Sequence, residues 1–204
     1  MAYDTIPSAE VIEKTIGAIT LRNVSVHLVN TKEEALEKVK SLIPDGVEVM
    51  TGSSTTLQQI GFVDLLKSGS HPWKNVKEAI VAEKDPVKQT ELRKLSVSAD
   101  YFLGSVHAIT ENGQTVTASA SGSQIPSYAF TSDTVIWVAG AQKIVPNLES
   151  AFARIHDYVY PLEDARMKSV DMGGSVIAKM FIFEREVMPN RHVHLVLVKE
   201  VLGF

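Results

Sequence analysis

The hexapeptide Thr51-Gly52-Ser53-Ser54-Thr55-Thr56 has the residue types that most readily do chemistry in this chain. Glycine lets a ligand approach the backbone, and free amides at a helix start, joined by neighbouring hydroxyls, can bind an oxyanion such as a carboxylate or phosphate. The competing use is plain N-capping by Ser53 or Ser54, which is common. Glu111 stands just before Asn112-Gly113, a turn dipeptide that would hold a carboxylate at the end of a sheet as a base or nucleophile. A solvated hairpin acid has the same pattern. Lys143 follows a strongly apolar run and would balance an anion at a strand's carboxyl end, unless it is an ordinary surface lysine. Arg166 and Arg154 could clamp a carboxylate, but Arg154 has Glu149 and Asp157 at helical spacing for common ion pairs, so Arg166 ranks ahead.

Other chemistries find little support. The segment 51–56 has no P-loop lysine, and no Gly-x-Gly-x-x-Gly, His-Glu-x-x-His or Gly-x-Ser-x-Gly occurs in the chain. His192 and His194 would lie roughly 7 Å apart on one strand face. They have no third ligand in sequence range, so no metal is expected, and they read as a half-exposed face alternating with Val193 and Leu195. Trp73 and Trp137 read as packing residues. The absence of cysteine excludes disulfides, a thiol nucleophile and any iron–sulfur cluster held by cysteines of this chain; which other cofactors it uses is unknown. A net charge of −4 with scattered basic residues disfavours a nucleic-acid partner, and no apolar run is long enough for a membrane span. With no export signal at the N-terminus, a cytoplasmic location is expected.

The elements that would position these residues alternate. At 204 residues, with 45% apolar and 22% charged, the chain can bury a core and is expected to form a single domain over 1–204. Val11, Ile12, Ile16 and Ile19 repeat at helical spacing after Ser8; a β-rich run over 24–29 follows, and Thr31 with Glu34 makes a capping-box pattern. Pro44-Asp45-Gly46 turns the chain into a strand at 47–50, ahead of a helix opening at 51–56. Ten of the 21 residues from Lys74 to Lys94 are charged, which predicts a solvated helical segment at about 74–95, divided by Pro86. Runs at 106–110 and 114–118 flank Asn112-Gly113 and predict a hairpin. The apolar run 135–139 predicts a strand buried on both faces, followed by a helix after Pro146. The late runs 176–183 and 192–198 are expected to pair as an antiparallel hairpin at the sheet edge. The fold class that results is α/β, an open, mainly parallel sheet with flanking helices.

Three strings, ADYFLGSVHAITENGQTV, DTVIWVAGAQKIVPNLESAFARIHDYVYPLEDARMK and TGSSTTLQQIG, together resemble the lactate-utilisation (LUD) domain family, including its short, uncharacterised members, over about 47–168. The resemblance implies a fold similar to that of the sugar-phosphate isomerases, coenzyme A transferases and formyltetrahydrofolate cyclo-ligases, with a site for anionic metabolites at strand ends. Glu111, Asn112 and Gly113 match the family's acidic turn, and Lys143 matches its Gly-x-x-Lys-Ile-Val segment. Many short members carry an Asn-Arg pair where Ser123 and Gln124 follow Gly122 here, which weakens any inherited choice of ligand. The expected function is binding of a small anionic metabolite, in support of lactate or related organic-acid utilisation. Gly52, Ser53, Ser54, Thr55, Thr56, Asn112, Gly113, Lys143 and Arg166 would form the binding site, with Glu111 as the acid–base candidate. Two alternatives stay open: an isomerase or acyl- or coenzyme A-transferase enzyme working through Glu111, and a noncatalytic subunit docked on redox-complex proteins. Homo-oligomerisation is a further expectation.

Overall fold

The computed structural model describes residues 3–204. Ser8 caps α1 (Ala9–Thr20) through the Val11 amide, and the buried Ile12, Thr15 and Ile19 form its inner stripe. After β1 (Ser25–Val29), α2 (Lys32–Leu42) starts at Thr31, whose hydroxyl accepts from the Glu34 amide. The Glu34 carboxylate returns not to the Thr31 amide, as a standard capping box would have it, but to that of Asn30 at 2.7 Å. β2 (Glu48–Thr51) leads through the hydroxyl-rich corner into α3 (Thr55–Gln59) and α4 (Phe62–Ser68). The helix after the corner is thus one short turn capped by Ser54, and the first four residues of 51–56 lie outside it.

The charged segment holds a two-residue strand β3 (Lys74–Asn75), then α5 (Val76–Ala82) and α6 (Pro86–Leu95), with Pro86 in the first turn where its missing N–H costs nothing. Next come β4 (Tyr101–Gly104), β5 (Ala108–Thr110) and β6 (Thr115–Ser119). A π-helical turn at Ser127–Thr131 precedes β7 (Thr134–Gly140), and the short β8 (Ile144–Val145) comes just before α7 (Leu148–Arg154). α7 runs through a second π turn at Ile155–Val159 into α8 (Tyr160–Ser169); β9 (Lys179–Phe183) and β10 (His192–Val198) follow.

Six strands form a parallel sheet in the order β1-β10-β7-β4-β2-β3. All seven residues of β7 are buried, because clusters of apolar side chains cover both faces. A second sheet, β8-β5-β6-β9, is mixed. The hairpin about Asn112-Gly113 forms its centre, with Gly113 at φ +89°, and a Cβ there would lie 2.6 Å from the Ala18 backbone. The expected pairing of the last two runs is overturned. β9 joins β6 antiparallel in the second sheet, while β10 inserts between β1 and β7, parallel to both. Five of the seven β10 residues are buried, which an edge strand would not allow, and β-rich composition alone cannot distinguish the two sheets. Among the described residues no helix is long and apolar enough to cross a membrane.

Candidate functional site

The carboxyl ends of three adjacent strands, β2, β4 and β7, open on a cavity of about 610 Å³. Each strand delivers polar groups where its hydrogen-bonding ladder stops. β2 contributes Ser53 to Thr56, β4 contributes Ser105, and the turn after β7 contributes Lys143. The second sheet adds His107 and the 118–121 segment. This is the position at which open α/β sheets bind ligands, because amide and side-chain donors converge there without competing for a strand partner.

Lys143 is not a surface lysine: it is 2% exposed. Its ammonium donates to Ser105 Oγ at 3.0 Å, the Val106 carbonyl at 3.1 Å and Thr56 Oγ1 at 3.3 Å, which uses all three of its protons on neutral acceptors. Burial pushes its pKa well below that of a free lysine, and the nearby Arg154 guanidinium pushes it the same way. Among the described residues no carboxylate lies within 4.0 Å of Lys143 or Arg154. Arg154 is fully buried. It sits over the rings of Tyr158 (5.3 Å) and Tyr3 (6.0 Å) and donates to the His107 carbonyl at 2.5 Å, so the expected ion pairs with Glu149 and Asp157 do not form. Burial lowers its pKa to about 10. His107 accepts the Ala118 amide on Nδ1 at 3.0 Å and is held neutral, its pKa lowered to about 3 by burial and then by Lys143 and Arg154. The inner end of the cavity therefore holds an ionisable ammonium, that of Lys143, with no protein carboxylate beside it.

Around that ammonium the donors are in place. Ser54 Oγ accepts the Leu57 amide at 3.2 Å, which leaves its own proton to donate, and the amides of Ser53 to Thr56 have no protein acceptor among the described residues. Thr56 passes its own hydroxyl proton to Ser105 Oγ at 3.3 Å, and Ser105 gives its proton to the Val106 carbonyl at 3.3 Å, so these two hydroxyls hold the lysine in place and offer a ligand only acceptor oxygens. From behind, Lys77 on α5 reaches the Gly52 carbonyl at 3.4 Å, which turns the Ser53 N–H at the far side of the same trans peptide away from α5. Gly52 itself does not line the cavity; its missing side chain admits Gln124, whose Oε1 lies 2.7 Å from where a Cβ would be. Gly203 closes over the other side, at φ +62°, where a Cβ would fall 2.3 Å from Thr56 Oγ1 and 3.2 Å from Lys143 Nζ.

Of the residues singled out in the sequence, the fold brings Ser53, Ser54, Thr55, Thr56, Lys143 and Arg166 together at the cavity. Arg166 arrives with its charge already matched, by a two-pronged pair with Glu163 at 2.6 and 2.7 Å. Glu111, Asn112 and Gly113 do not line the cavity. They lie at the turn end of the hairpin, packed on α1, where Glu111 pairs with Lys14 at 2.8 Å and Arg22 holds the Asn112 carbonyl, while the cavity lies at the hairpin's open end. Sequence reasoning did not assign Ser105, His107, Gln124 or Gly203 to the site, although Ser105 and His107 lie in a string that carries the family resemblance and Gln124 stands at the position of the short members' Asn-Arg pair; each reaches the cavity through tertiary structure. It also missed the π turn at Ile155–Val159. Pro161 was its one visible signal, since it cannot donate to the Asp157 carbonyl and the helix widens where that bond is lost.

His192 is exposed and His194 half-buried, alternating with the buried Val193 and Leu195 as expected. His194 Nδ1 is 3.2 Å from His27 Nε2 on the neighbouring strand, and burial lowers its pKa to about 4. Among the described residues no group of three or more His, Asp or Glu side chains is placed to hold a metal.

Fold and site together define an open α/β protein with a cavity at its strand ends that is lined by a buried lysine. The LUD domain model matches residues 12–198, and the chain belongs to that family. A DUF162 family protein from Deinococcus radiodurans has a similar fold, with a TM-score of 0.56 at 11% identity over 95% of this chain and 99% of that one. No curated protein matches the chain.

Proposed function

We propose that this LUD-domain protein binds an organic anion in the cavity, with Lys143 as its counter-charge, in the service of organic-acid metabolism of the lactate-utilisation kind. The observation that carries the reading is a lysine buried to 2% exposure with three neutral partners and no carboxylate. Desolvating a lone ammonium is costly, and a site that keeps one without a protein anion recovers that cost when an exogenous anion arrives. The amides of Ser53 to Thr56 and the Ser54 hydroxyl supply directional donors for it. Proton transfer or acyl exchange by Glu111 has no comparable support, since that carboxylate lies at the other end of the hairpin from the cavity.

The test is calorimetric titration with a panel of monocarboxylates, dicarboxylates and sugar phosphates. At least one class should bind to the wild type, and Lys143→Met should weaken that binding at least 100-fold while circular dichroism stays native. Binding retained by Lys143→Met would refute the reading.

A further inference from the structure

The geometry points to an amphipathic ligand: a straight-chain monocarboxylate of medium length, its head at Lys143 and its alkyl chain along the helix wall. This rests on the anion site proposed above and specifies what it takes.

Three observations converge. First, the size is wrong for a three-carbon acid. At about 610 Å³ the cavity falls within the roughly 300–1,000 Å³ of pockets that enclose ligands of drug size, and six non-hydrogen atoms would leave most of it to water. Second, the lining is divided. The strand ends contribute hydroxyls and Lys143, whereas the helical side contributes Ile155, Val159, Met167, Met172, Val176 and Ile177, interrupted by Tyr160 and the Glu163–Arg166 pair. Ile155 and Val159 are the first and last residues of the π turn, so a widened helix presents this apolar face to the cavity. Third, Met172 and Val176 are 65% and 57% exposed at the rim, apolar surface that an alkyl chain would cover, and methionine adapts to variable apolar partners.

Head-group charge follows from the cations. Arg166 is neutralised by Glu163, and Arg154 does not line the cavity, so Lys143 alone faces the ligand with a free charge. One positive charge fits a carboxylate better than a doubly charged phosphate ester.

The experiment titrates the whole chain with lactate, butanoate, hexanoate and octanoate, and with octanamide as the uncharged control. Each methylene buried on the apolar wall should tighten binding roughly fourfold, so octanoate should exceed butanoate by at least tenfold. Substituting the exposed rim residues together, Met172→Ser with Val176→Ser, should weaken octanoate at least fivefold and leave butanoate unchanged; both positions are exposed enough that folding is not at stake. Equal affinity for lactate and octanoate would overturn the alkyl-chain proposal while leaving the anion site intact. Octanamide binding as tightly as octanoate would instead overturn the anion site itself.

Discussion

Two buried cations in this fold are treated in opposite ways. Arg191, 6% exposed, ion-pairs with the Glu186 carboxylate and gives its remaining protons to the carbonyls of Ser127, Tyr128 and Ser132 at 2.8 to 3.0 Å. It ties the first π turn and the segment before β10 to the main sheet, and its charge is cancelled within the protein. Lys143 is buried more deeply and donates only to neutral oxygens. The fold neutralises Arg191 within itself and leaves Lys143, at the cavity wall, with neutral oxygens alone. The Arg191 region can be broken without touching the site, and the Lys143 region can be emptied without unfolding the protein.

The largest effect belongs to the structural pair. Glu186→Gln leaves a buried guanidinium without its anion and should cost about 3–5 kcal/mol in urea unfolding. Anion affinity at the cavity should not change, and a parallel loss of binding would show that the two regions are coupled.

Acid should act next, and chiefly on the histidines, two of which lie outside the cavity. His27, His107 and His194 all have folded pKa values below their ordinary 6.5, the last two at about 4 or lower. Between the folded and unfolded values the unfolded chain binds more protons, so stability is full above pH 6.5 and falls as pH drops, by up to about 1.4 kcal/mol per pH unit for His107, the most buried of the three, and by less for the more solvated His27 and His194. His107→Gln should flatten part of that acid limb in thermal melts, and an unchanged limb would argue against a neutral buried His107.

The smallest effect is expected at Glu111. Its pair with Lys14 is largely solvated, so Glu111→Gln should change stability by no more than about 0.5–1 kcal/mol and leave anion binding at the wild-type value. A large loss of binding would bring the hairpin turn back into the site.

Periodicity and turn chemistry made much of the parallel architecture legible in advance: α1 from its apolar spacing, β7 from an unbroken apolar run, and the β5–β6 hairpin from Asn112-Gly113. The destination of β10 was not legible, because a β-rich run does not say which neighbours it will find. Residue types marked the 53–56 corner and Lys143 as able to meet an anion, but a lysine's burial is a tertiary fact. Ser105 and His107 lie on the same stretch as Glu111, and only the direction of the hairpin decides that they face the cavity and Glu111 does not.

Proton linkage at the cavity is the most direct test. Burial depresses the Lys143 pKa and a bound anion would raise it again, so in the pH range where this lysine titrates anion binding should draw a proton to it. Titrating a bound carboxylate there in two buffers of different ionisation enthalpy should show proton uptake by the wild type and none by any binding that remains in Lys143→Met. Binding without proton uptake, or the same uptake in both proteins, would contradict the account.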